Sequence, residues 1–94
     1  LSVLQKLFCQ DNRLTALNVQ GLNALQGVNC SNNQLATLDV QNLSALQELD
    51  CGGNQLTELN VQGCTALQEL YCYNNQLTAH AFKDIFINSW RRKW

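Results

Sequence analysis

The sequence predicts an α/β solenoid: a right-handed coil of short repeats, with a short parallel, concave β-sheet along one side and a C-terminal capping helix. Three observations carry this. The chain matches itself at an offset of 21 residues, a period typical of stacked solenoids. Within each unit an aliphatic residue and a cysteine stand two positions apart between polar or small residues, as in a strand buried on one face. After Leu77 that rhythm gives way to apolar residues at helical spacing.

The columns of the repeat can be read directly. One runs Leu4, Leu25, Leu46, Leu67, the next Leu7, Val28, Leu49, Leu70, and the third Cys9, Cys30, Cys51, Cys72. Asn12, Asn33, Asn54, Asn75 and then Leu14, Leu35, Leu56, Leu77 follow. The second half of each unit adds Leu17, Leu38, Leu59, then Val19, Val40, Val61, then Leu22, Leu43, Cys64. The units are 4–24, 25–45, 46–66 and a partial 67–77, so that 1–77 is the repeat region and 78–94 the cap.

In the third strand Leu49 and Cys51 point to one side while Glu48, Asp50 and Gly52 point to the other. A single coil has no second layer against which to bury its leucines. Neighbouring coils supply it by stacking, with parallel strands about 4.8 Å apart. Each buried aliphatic side chain then contributes roughly 1.5 to 3 kcal/mol. The asparagine column is a hydrogen-bonding ladder, because a side-chain amide both donates and accepts and can satisfy turn backbone of its own and the adjacent coil.

The pattern L-x-x-L-x-C-x-x-N-x-L stands at Leu4 to Leu14, at Leu25 to Leu35 with Val28, at Leu46 to Leu56 and at Leu67 to Leu77. It resembles the leucine-rich repeat family over residues 1–77. The repeat length, with cysteine at the inner strand position, looks most like the cysteine-ladder subtype of internalin-like bacterial surface and secreted proteins. The resemblance implies a non-catalytic module, extracellular or on the bacterial cell surface, that binds a protein, or alternatively a carbohydrate, through its concave face. A parallel β-helix is the alternative fold.

Four inward cysteines in one column act as small hydrophobes. Neighbours in such a column stay parallel near the strand spacing and do not converge as a disulfide requires. Zinc prefers clustered ligands such as C-x-x-C, which spacings of 21 residues and one distant histidine, His80, do not supply. Burial beside leucines raises a thiol pKa and removes its nucleophilicity. Cys64 stands in the column of Leu22 and Leu43 and reads as core. No catalytic residue, metal ligand or cofactor site is expected.

The formal net charge of −1 hides a segregation: no basic residue lies between Arg13 and Lys83, while Asp39, Glu48, Asp50, Glu58 and Glu69 do. An acidic body does not neutralise a phosphate backbone, so nucleic acid is excluded as its partner. No apolar run approaches the roughly 20 residues of a membrane-crossing helix. The 23 amides among 94 residues look like low complexity until their regular placement is seen.

At the C-terminal end Thr78 is placed to cap a helix carrying Phe82, Ile85, Phe86 and Trp90 on one face, with Arg91, Arg92 and Lys93 suited to the negative end of its dipole. At the other end the chain begins in mid-coil. That predicts either a longer native chain or self-association through the exposed strand around Leu7 to Cys9.

Recognition then falls to the outward strand positions. Glu48, Asp50, Glu69, Tyr71, Tyr73, Phe8 and Asn29 are the candidate ligand-binding residues, with the tyrosines as broad anchors among carboxylates, suited to a basic polypeptide or a sugar ring. The alternative is a structural spacer within a larger adhesin, in which those positions carry no binding energy.

Overall fold

The computed structural model describes residues 3–78 and the backbone of 91–93. Five three-residue strands form one parallel sheet: β1 (Lys6–Phe8), β2 (Gly27–Asn29), β3 (Glu48–Asp50), β4 (Glu69–Tyr71) and β5 (Arg91–Lys93), in that spatial order. Lys6, Gly27, Glu48 and Glu69 are register partners in turn, so the 21-residue period of the sequence is the stacking period of the coils.

The core is the set of aliphatic and cysteine columns. Leu25, Leu46, Val28, Leu49, Leu70, Leu35 and Leu56 are buried, as are Val19, Val40, Val61, Leu43 and Cys64. Those columns hold because each coil covers the next. The first coil is covered on one side only: Leu7, Cys9, Leu14, Leu17 and Leu22 are partly buried, and Val3, Leu4 and Phe8 are exposed.

Behind the sheet the chain closes each coil with paired tight turns. The N–H groups of Leu43 and Leu46 donate to the carbonyls of Val40 and Leu43, and Cys64 and Leu67 repeat this one coil later. At the strand ends the column Asp11, Asn32, Gly53, Asn74 takes positive φ in every coil. Only glycine and short polar residues adopt that conformation readily, which explains the column's composition.

The asparagine column does form a ladder. Asn54 Nδ2 donates to the carbonyls of Cys51 and Gly52 in its own coil and of Cys30 in the coil before, while its Oδ1 accepts from Leu35 N–H. Asn33 and Asn75 make the equivalent bonds. Each amide therefore ties two coils together at a place where the turn backbone has no strand partner.

The C-terminal expectation needs correction. A helix over 78–94 would run through Arg91, Arg92 and Lys93, but 91–93 form β5, paired in parallel with β4. The physical reason is the edge of the stack: β4 presents backbone groups on its outer side, and a strand satisfies them where a helix cannot. No helix is found among the described residues, and the apolar positions Phe82, Ile85, Phe86 and Trp90, with His80, lie outside them.

Candidate functional site

The outer face of the sheet is organised in three rows by the strand register. One row is Phe8, Asn29, Asp50, Tyr71, crossing from β1 to β4. Below it runs Lys6, Gly27, Glu48, Glu69, and above it the positions that follow the strands, Gln10, Ser31, Gly52, Tyr73. All seven sequence candidates are thereby brought to one face, because the fixed offset leaves each strand in the same phase as its neighbours.

The rows are not flat. Lys6 lays its stem across Gly27, with Cδ 3.4 Å from where a Cβ of that residue would stand. From the other side the Tyr73 ring covers Gly52. Phe8 stands exposed on β1 and Tyr71 half-buried on β4, so the central row has an aromatic residue at each end and Asn29 and Asp50 between them.

Short polar bonds fix the floor. Asn29 Oδ1 accepts from the Ser31 N–H at 3.1 Å and from its hydroxyl at 2.7 Å. Asp50 Oδ1 accepts from the Gly52 N–H at 3.1 Å. Tyr71 donates its hydroxyl to Glu69 Oε2 at 2.9 Å. That hydrogen bond first, then partial burial and the carboxylates of Glu69, Glu48 and Asp50, push the Tyr71 phenol up from its ordinary value. Three acids thus converge on one hydroxyl. Glu48 and Glu69 are direct register partners, and like charges placed so destabilise a sheet unless a cation joins them.

The thiols lie on the opposite side of the sheet. Cys30, Cys51 and Cys72 are buried, Cys9 is half-buried, and all are free. Burial pushes Cys30 up to about 12 and Cys72 up to about 11, and raises Cys51 well above the usual thiol value. Cys64, also buried, donates its thiol to the Val40 carbonyl at 3.1 Å. Protonated, enclosed sulfurs of this kind are poor nucleophiles and poor ligands. Among the described residues no group of three or more His, Cys, Asp or Glu side chains is arranged to hold a metal ion.

A second concavity escaped the sequence reading. A groove of about 360 Å³ is lined by Asn18, Gln20, Thr37, Asp39, Glu58 and Asn60, with aliphatic walls. Asn18, Asp39 and Asn60 stand at the same 21-residue offset as the other columns, so the signal was present. Their side-chain oxygens accept the N–H groups of Gln20, Gln41 and Gln62, two residues on, as turn-forming residues do.

A family model described as Leucine Rich repeats (2 copies) matches residues 44–81. The chain carries leucine-rich repeats. No curated protein and no solved structure matches it. The matched leucine-rich repeats cover β3 and β4, the two strands that supply Glu48, Asp50, Glu69 and Tyr71. Leucine-rich repeats commonly mediate protein–protein interaction and are as a rule non-catalytic binding modules. Among the described residues no helix is long and apolar enough to cross a membrane.

Proposed function

We propose that this chain is a binding module that engages a protein partner through the outer face of its sheet, with Asp50, Tyr71 and Tyr73 at the centre and Phe8, Asn29, Glu48 and Glu69 around them. The observation that carries the reading is the central row: two aromatic side chains flank an amide and a carboxylate that hydrogen bonds hold in place. Preorganised polar groups beside rigid aromatic anchors lower the ordering cost of association. The resemblance of residues 4–77 to surface-displayed repeat proteins supports a location outside the cell.

The experiment is selection of a random displayed-peptide library on the chain, with the selected ligands retested on Asp50→Asn and on Tyr71→Ala with Tyr73→Ala. Ligands that bind the parent and not these variants, at unchanged melting temperature, support the reading. Ligands indifferent to every substitution on this face would leave the spacer role as the better account.

A further inference from the structure

The central row sets both the size and the charge of what the face can hold. Phe8 on β1 and Tyr71 on β4 are three strand spacings apart, about 14 Å between backbones. Once the two aromatic side chains are subtracted, the trough between them has the width of one extended polypeptide and no more. A globular surface patch of ordinary size buries about 800 Å² per partner, more than such a trough offers. A single strand lying along it, parallel or antiparallel to β2 and β3, fits.

The charge along the trough has a period. Glu48 and Asp50 project from alternate positions of β3, so their backbones repeat about every 6.6 Å. An extended ligand has the same two-residue repeat. Side chains at every second position of such a ligand therefore meet the two carboxylates in register, and their neighbours point away. Among the described residues no ion pair engages Glu48 or Asp50. Opposing them is one cation, Lys6, which reaches over Gly27 from the rim.

Resting on the binding role proposed above, we infer that the trough between Phe8 and Tyr71 takes an extended basic segment of a partner protein, with Lys or Arg at alternate positions facing Glu48 and Asp50. The aromatic walls lie against the aliphatic stems of those residues, as cation and π-face attract. Lys6 acts against the ligand and limits affinity.

The test uses three peptides, each about eight residues long to overfill the face: alternating Lys-Thr, alternating Glu-Thr and alternating Ser-Thr. Spermine serves as a charge control. Each is titrated into the isotopically labelled chain while backbone amide shifts are followed. The Lys-Thr peptide should move the amides of Asn29, Asp50 and Tyr71, and weaken as salt is raised. Glu48→Gln and Asp50→Asn should each weaken it roughly threefold to tenfold, and Lys6→Gln should tighten it roughly twofold to fivefold. A purely structural role for these residues would not produce opposite signs. If the Glu-Thr or Ser-Thr peptide moves this face more than Lys-Thr, the charge assignment is overturned while the binding role stands. If spermine matches Lys-Thr, the extended-segment claim is overturned. If no peptide moves this face but library ligands do, the present inference fails alone, and if neither does, both fail.

Discussion

The ring of Tyr73 lies over Gly52 so closely that a Cβ on the glycine would stand 2.6 Å from both ring Cε atoms and overlap Cζ. Gly52 has no positive φ, so its backbone tolerates a side chain, and the obstacle is the far end of a flexible residue. Gly52→Ala should therefore cost less than about 1 kcal/mol while displacing the ring, visible as a shift of the Tyr73 aromatic resonances. Gly53→Ala is a different case. There φ is +68 and a Cβ would collide with Asn32 Oδ1 and stand 3.3 Å from its backbone nitrogen. The left-handed conformation alone costs a non-glycine residue about 1 to 2 kcal/mol, so urea denaturation should rank Gly53→Ala well below Gly52→Ala.

The asparagine ladder makes a graded prediction. Asn54 is buried and bonds four backbone groups, one of them the Leu35 N–H of the preceding coil. Asn12 is exposed and donates only to the carbonyls of Cys9 and Gln10 in its own coil. Unpaired buried polar groups cost about 1 to 3 kcal/mol each, so Asn54→Ala should lose about 3 kcal/mol and Asn12→Ala less than about 1. The midpoint of urea unfolding reads the difference.

Thiol burial predicts an alkaline limit to stability. The folded-state values of Cys30 and Cys72, about 12 and about 11, exceed the value of 9.0 expected for the unfolded chain. The native state therefore holds these protons longer. The stabilisation this represents is complete below about pH 9 and is lost as pH rises toward 11 and 12, by up to about 1.4 kcal/mol per unit for each thiol. Cys30→Ala should flatten the fall of stability above pH 9. Iodoacetamide at neutral pH should label half-buried Cys9 first, as peptide mapping will show.

Much of this architecture was legible because the offset of 21 residues is also the register of the sheet. The rows Lys6, Gly27, Glu48, Glu69 and Phe8, Asn29, Asp50, Tyr71 follow from that number alone. What it could not show is where side chains lean. Lys6 covers Gly27 and Tyr73 covers Gly52 because each glycine leaves a vacancy one strand away, a relation between coils and not within one. The C-terminal strand was hidden for a related reason. Local spacing favours a helix there, while the open edge of β4, which β5 satisfies, is a requirement set by the whole stack.

The Tyr71 phenol offers an independent report on the face. Its hydroxyl donates to Glu69, and that bond is the first cause of its raised pKa, ahead of burial and of the charges on Glu69, Glu48 and Asp50. A phenol held protonated in the folded state contributes stability below its ordinary value near 10.0, and that contribution fades as pH climbs through the raised one. Glu69→Gln should bring the titration down toward the ordinary value, and Glu48→Gln or Asp50→Asn should lower it less, as followed by carbon-13 shifts of labelled tyrosine with Tyr71→Phe for assignment. A cation docked beside the same carboxylates favours the phenolate, so the alternating Lys-Thr peptide should also lower the Tyr71 value. Spermine held only at the rim, or a neutral peptide, should leave it where it was.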